Sequence, residues 1–300
     1  QHPFRLAAGR TQKQEMKTDH QSHFPAPAQE NRKLRTDYWL RERYFDFLCP
    51  AVALILFFSL WEGYVRLSGI QNYILPGPLE ILQGLVEHRG KLVSHSLVTA
   101  FEMLLGYSCS IIFGSLFAFL VVRSSTLDKA LMPLFFFSQT VSKIAIAPLF
   151  VIWFGFGILP KVLVSFLISF FPIFISTSAG LKSVETEMLE LIHSMSPTTF
   201  QVFWKVRIPT ALPHFFAGAR VAVPFAAVGA IVGEWIASDR GLGYYLLLMQ
   251  GDFDTAGLFA TILTASFISI ALYLLVARLE RLFLPWHVSV RGEQQLGLTV

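Results

Sequence analysis

Six stretches of this 300-residue chain are apolar over the length needed to cross a bilayer, and that repetition restricts the fold more than any other feature. A spanning helix needs about 20 mostly apolar residues. Runs at roughly 45–66, 96–122, 129–154, 159–181, 215–237 and 257–284 qualify. Only 15% of the residues are charged and 54% are hydrophobic, with 29 Phe. Soluble domains carry about 25% charged residues, so this chain has too little charge to coat a soluble surface. The expected class is an all-α membrane protein with six transmembrane helices.

The segments between the runs suggest three regions. Residues 1–44 are polar, with nine Lys/Arg, and read as a largely disordered cytosolic tail ending in a short amphipathic helix at TDYWLRERYFDFL. Residues 45–284 form the six-helix domain, and 285–300 a cytosolic C-terminal tail. Between the first two runs, YILPGPLEILQGLVEHRGKLVSH predicts a stiff Pro-Gly-Pro turn and a short amphipathic helix outside the membrane. Pro133 and Pro148 predict a break or kink in the third run. The first apolar run starts late and no small-residue cleavage site follows it, so no removable leader is expected.

Basic residues orient such a chain, because loops on the cytosolic side carry an excess of Lys and Arg. With the N-terminus inside, 17 Lys/Arg fall on inner segments and five on outer ones, namely Arg66, Arg89, Lys91, Lys161 and Arg240. Both termini are then cytosolic. The net charge of +4 reflects this asymmetry rather than a nucleic-acid surface. Trp39, Trp61, Trp235 and Trp286 suit interfacial anchoring or packing equally. Cys49 and Cys109 make no disulfide framework or metal-binding spacing. A phosphate loop fails at Gly180-Leu-Lys-Ser, where Ile175 stands in place of the first glycine, and neither HExxH nor GxSxG occurs. The chain is therefore not expected to be an enzyme, and energy for any work must come from a partner or an ion gradient.

One polar island interrupts the apolar pattern, KSVETEMLELIHSMSPTTFQVFWKVRIPTALP, from Lys182 to Pro213. Glu185, Glu187 and Glu190 accompany an apolar face of Met188, Leu191, Ile192 and Met195, followed by Phe200, Val202, Phe203 and Val206. The spacing predicts two short helices broken at Ser196-Pro197. Ser196 would cap the second helix, with Pro197 at its first position. Pro209 and Pro213 would end the island. A helix-break-helix of this kind either docks into a groove on another protein or rests on lipid headgroups. Interfacial helices carry Lys/Arg on their polar face, whereas this one carries three Glu, which favours a protein.

The island resembles the "EAA" loop of ABC-importer permeases, E-A-A-x3-G-x9-I-x-L-P. Glu190 takes the Glu position, Leu191 and Ile192 the two Ala, Ser196 the Gly, Val206 the Ile, Ile208 the Leu and Pro209 the Pro, with the spacing kept throughout. The Ala and Gly positions depart from the pattern. YILPGPLEIL, SKIAIAPLFVIWFGFGILPKVLVSFLISFFPIFISTSAGLKSV, ALPHFFAGARVAVPFAAVGAIVGEWIASDRGLGYYL and FDTAGLFATIL are similar to the nitrate/sulfonate/taurine/bicarbonate and pyrimidine-precursor subfamily. The resemblance implies a type I ABC-importer permease fold in a bacterial inner membrane. It implies a second permease copy, an ATP-binding cassette ATPase dimer carrying ATP and Mg, and an external substrate-binding protein, with no cofactor in this chain. It assigns ATPase coupling to Glu187, Glu190, Leu191, Ile192, Ser196, Pro197, Phe200, Val206, Ile208 and Pro209. The implied cargo is a small organic anion or vitamin precursor, and the Phe-rich FFFS and SFFP runs suit either an aromatic cargo or helix packing.

Charges at bilayer depth are costly and usually face a cavity or a partner. Lys143 either lines a pathway or reaches the cytosolic interface. Glu102 packs helices or lines the path, and Glu234 serves a gate, contacts the docked binding protein or pairs with Arg240. Arg220 anchors the fifth span. Gly229 and Gly233 form GxxxG, which permits close helix approach and suits permease–permease packing. The rival class is a secondary transporter or channel, which would show inverted repeats and would need no docking loop; a membrane-embedded enzyme would need clustered His, Asp or Glu.

Overall fold

The computed structural model describes residues 30–184, 186–194 and 198–285. Its elements, in chain order, are α1 (Glu30–Ser68), α2 (Pro78–Glu87), α3 (Arg89–Arg123), α4 (Ser125–Thr140), α5 (Lys143–Phe154), α6 (Ile158–Lys182), α7 (Thr186–Ser194), α8 (Thr199–Val202), a π-helical segment (Phe203–Arg207), α9 (Ile208–Ala237), α10 (Leu242–Gly251) and α11 (Thr255–Phe283). Among the described residues, five stretches are long and apolar enough to span a membrane: Leu48–Ser68, Arg89–Arg123, Ile158–Lys182, Phe200–Ile236 and Thr255–Phe283. A sixth arises if α4 and α5, bent by 95° at their junction, count as one span. The protein is an all-helical, multi-pass membrane protein.

The chain divides into two units at Gly63 and Tyr64. The first holds most of α1, which passes through Pro50 without a break. Phe57 meets Phe58 and Trp61 edge-on, at ring-centroid distances of 5.5 and 6.1 Å. Residues 30–44, expected as tail, already belong to this helix, which takes in the TDYWLRERYFDFL segment. Residues 1–29 and 286–300 lie outside the described residues.

In the second unit α6 is the central element, packed along α9 on one side and along α3 on the other. Glycines let the backbones approach. A Cβ on Gly106 of α3 would fall 2.5 Å from the Ser165 side chain, and one on Gly229 of α9 would fall 2.5 Å from Ser165 Cα. A Cβ on Gly233 would fall 2.8 Å from Lys161 Cα. Gly229 and Gly233 thus both lie against α6 within the chain. Membrane helices gain little from apolar burial against lipid, so close packing and interhelical hydrogen bonds hold them together. Tyr107 donates to the Ala219 carbonyl at 3.0 Å, Ser165 to the Ala226 carbonyl at 2.9 Å, and Ser110 meets Ser169 at 2.7 Å.

The aromatic runs divide between two surroundings. Phe170, Phe171 and Phe174 are buried in one cluster with Ala118, Val121 and Leu181, and Phe135 lies 4.3 Å from Phe174 between ring centroids. These rings fill helix packing. Phe136 and Phe137, on the other side of α4, are exposed.

Two boundaries differ from expectation. The third run breaks at Val141 and Ser142, while Pro133 and Pro148 sit inside α4 and α5. In the last turns of α4, Ser138 and Thr140 turn their hydroxyls onto the carbonyls of Phe135 and Phe137, at 2.8 and 2.7 Å. Such local bonds compete with the helical ladder. The fifth span starts earlier than expected, because α9 begins at Ile208 and continues through Pro213 and Pro224.

The α6–α9 contact gives a direct test. Gly229→Val would push a side chain into the Ser165 backbone and should cost about 1–3 kcal/mol, seen as a lower thermal midpoint of the purified protein in detergent. Gly90→Ala meets nothing within 4 Å and should leave the midpoint unchanged or slightly raised.

Candidate functional site

The 182–213 loop leaves the bundle where α6 ends. Lys182, in the last turn of α6, pairs with Asp128 of α4 at 2.6 Å and fixes the start of the loop. α7 follows, with Glu187, Glu190, Met188 and Leu191 exposed and Ile192 half-buried. Ser196 and Pro197 lie outside the described residues. Among the described residues, Thr198 caps the second helix. The Thr198 N–H donates to Gln201 Oε1 at 3.0 Å, and the Gln201 N–H donates to Thr198 Oγ1 at 3.3 Å. This reciprocal pair is a capping box, carried in the sequence as T-x-x-Q from Thr198 to Gln201.

The loop joins the fifth span through the π-helical Phe203–Arg207 segment, where the Ile208 N–H reaches back to the Phe203 carbonyl. Proline explains the departure from α-geometry. Residue 209 would supply the N–H for the Lys205 carbonyl, and Pro209 has none. Val206, Ile208 and Pro209 are half-buried at this joint. The exposed apolar side chains are Met188, Leu191 (70% exposed), Phe200 and Trp204 (55%), with Phe200 and Trp204 rings 5.9 Å apart. Trp204 was not singled out from sequence, although its i+4 spacing from Phe200 was the available signal.

A second site lies at the opposite end of the bundle, where α3, α6 and α9 converge. Lys161, counted from sequence as an outer-loop residue, enters the first turn of α6 and is buried. Its ammonium pairs with Glu102 of α3 and donates to Ser238 at 3.0 Å. Glu234 of α9 is fully buried and accepts from Thr99 Oγ1 at 2.6 Å and from the Gly243 N–H at 2.5 Å. It does not pair with Arg240, which lies 4.0 Å from Asp239 and is mostly exposed. Gly241, at φ 105°, lets the chain turn over the Glu234 carboxyl, since a Cβ there would collide with it. Inside the bundle, Glu102 therefore faces α6 and Glu234 faces α3. Lys143 is not among them: it opens α5, half-buried, with its ammonium 4.8 Å from the centre of the Phe171 ring.

The loops at this end are tied by a further chain of bonds. Asp254 caps α11 through the Gly257 N–H at 2.9 Å and meets His88 Nε2 at 2.9 Å, while His88 Nδ1 meets the Tyr245 hydroxyl at 2.8 Å. Burial, with Asp254, Asp252 and Glu87 nearby, pushes the Tyr245 phenol above its usual range.

Nearer the middle of α9, Arg220 pairs with the buried Glu280 of α11. The pair lies in the wall of an open cavity of about 740 Å³, together with His214, Val221, Phe225 and Tyr273. Arg220 thus ties α9 to α11 along their length rather than holding the start of the fifth span.

The buried cluster predicts a large single-site penalty and a recoverable double variant. Lys161→Met leaves two carboxyls without their cation and should cost about 3–5 kcal/mol. Lys161→Met with Glu102→Met removes charges of both signs and should regain much of that loss. Thermal unfolding of the two variants in detergent makes the comparison.

Residues 110–286 match the family of binding-protein-dependent transport system inner membrane components. The chain is 37% identical to the formylaminopyrimidine transport permease protein ThiX of Halalkalibacterium halodurans, over 82% of this chain and 98% of that protein. It is 35% identical to the riboflavin transport system permease protein RibX of Chloroflexus aurantiacus, over 79% and 90% of the two chains. It is 29% identical to the taurine transport system permease protein TauC of Escherichia coli, over 84% and 94%.

Proposed function

The chain belongs to the family of binding-protein-dependent transport system inner membrane components, as an ABC transporter permease, and on that premise we propose that it forms half of an import pathway driven by a separate ATPase. A second permease copy completes the pathway. An ATP-binding cassette dimer, carrying ATP and Mg, docks on the 182–213 loops, and an external binding protein delivers cargo at the opposite end. Both termini and the loop are then cytosolic, in keeping with the Lys/Arg distribution.

The observation that carries this reading is the set of exposed apolar side chains, Met188 and Leu191 on α7 and Phe200 and Trp204 after it, on a polar loop between two spans. Exposed apolar clusters rimmed by charge mark interaction surfaces, and short amphipathic helices commonly seat their apolar face in a partner's groove. Glu187 and Glu190 are exposed on the same short helix as Met188 and Leu191. A secondary transporter or channel would have no use for such a surface.

Coupling follows from mechanics. Closure of the ATPase pair would draw two such loops together, and each loop is continuous with its fifth span through Phe203–Arg207. Motion of the loop thereby reaches α9 and, through the close α9–α6 contact, the rest of the bundle. The permease supplies pathway and coupling and hydrolyses nothing itself. Lys143, which opens α5 just after the α4–α5 bend and is half-buried, is assigned to the pathway. We assign the cargo to the small organic anions and vitamin precursors, the class that spans the relatives named for formylaminopyrimidine, riboflavin and taurine.

Glu190→Arg combined with Trp204→Ala should weaken ATPase docking by about 2 kcal/mol or more, roughly thirtyfold in affinity. The ATPase should then fail to co-purify and ATP-driven uptake should collapse, while the permease still accumulates in the membrane. Unchanged uptake by the double variant would sink the coupling role. Thermal stabilisation of the cognate binding protein by formylaminopyrimidine, riboflavin or taurine tests the cargo class, and no response to any of the three would reject it.

A further inference from the structure

The junction of α3, α6 and α9 contains more negative charge than its surroundings can hold. Glu102, Lys161 and Glu234 are each nearly or fully inaccessible, at 1%, 6% and 0% exposure. With all three ionised the cluster carries a net charge of minus one inside an apolar bundle. An uncompensated buried charge is costly, and proteins avoid it by changing protonation state.

The hydrogen bonds locate the imbalance. Glu102 Oε1 is engaged by Lys161. Glu102 Oε2 is buried and has no donor from the protein. Glu234 accepts from Thr99 and from the Gly243 N–H, and Thr99 precedes Glu102 by three residues on α3, so the Glu234 carboxyl sits against the face of α3 that carries Glu102. Two ionised carboxylates have only acceptors and cannot bond to each other. A single proton between them satisfies the orphaned oxygen and cancels the surplus charge at once.

Other titratable groups on the packed elements are already engaged. On α3, His95 accepts the Gly241 N–H through Nδ1 at 3.0 Å and stacks on Tyr245 at 5.0 Å. On α10, the Tyr245 hydroxyl meets His88. Arg240, on the loop after α9, faces Asp239 and is mostly exposed. Lys161 is the one cation bonded to the pair among the described residues.

We propose that Glu102 and Glu234 form a proton-binding site, holding one shared proton that, with Lys161, makes the α3–α6–α9 junction electrically neutral. The ligand is the proton itself, and the site links three spans at the end of the bundle opposite the 182–213 loop. Separating α3 from α9 breaks the shared bond, so the junction is held closed more firmly while the proton is bound.

Infrared spectroscopy of the full chain in detergent at neutral pH tests this. The wild type should show a protonated-carboxyl C=O band that shifts on exchange into heavy water. Glu102→Gln with Glu234→Gln should lose that component, because neither amide can carry the proton. If the double variant does not fold, Glu102→Gln alone decides, since its amide can still bond both Lys161 and Glu234 while the partner carboxyl ionises. Loss of the component supports the site. A spectrum with the same protonated-carboxyl intensity in wild type and variant overturns it.

Discussion

Everything else in the second unit depends on how closely α6 can lie against its two neighbours. In lipid there is no solvent-driven reward for bringing apolar helices together, so backbone proximity and the contacts it permits must do the holding. Gly106 from one side and Gly229 from the other both abut Ser165, and the hydroxyls of Ser110, Ser165 and Ser169 use the narrow gap to bond across it. The same proximity brings Glu102, Lys161 and Glu234 into one small volume. Wider helix spacing would leave these three as separate intramembrane charges.

The helical class and most spans were legible because apolar run length is a strong and local signal. The joints were less so. Pro133 and Pro148 drew attention as breakers, yet each is accommodated within a helix, and the bend falls where Ser138 and Thr140 turn back on their own carbonyls. Likewise Pro209 and Pro213 read as the end of the polar island, whereas α9 runs through the latter and the former shapes a π-helical turn. A proline removes one donor, and whether the chain breaks, bends or widens its turn depends on neighbours that run length does not describe.

The candidate sites show the same division. Exposure of Glu187, Glu190, Leu191 and Phe200 followed from a polar segment with one apolar face, and Trp204 belongs to the same pattern. The buried cluster was only half legible. Glu102 and Glu234 stand out as charges at bilayer depth, but Lys161, just after Gly-Ile-Leu-Pro at the head of the fourth run, counts with the outer side by position alone, and its burial depends on α3 and α9 closing over the first turn of α6. The GxxxG of Gly229 and Gly233 signalled close approach correctly, but a motif of small residues cannot say which helix approaches.

The π-helical turn at Phe203–Arg207 sets a rotational phase. An α-helix turns by about 100° per residue, and a π turn accommodates one residue more than an α turn would over the same rise. The exposed apolar side chains of the loop are therefore aimed, relative to α9, by a single residue of slack next to Pro209. Chains that gained or lost one residue here would point the same side chains a quarter-turn or more away while leaving every span intact. The angular setting of the loop is thus inherited separately from its composition, and two permeases could share all of its side chains yet present them in different directions.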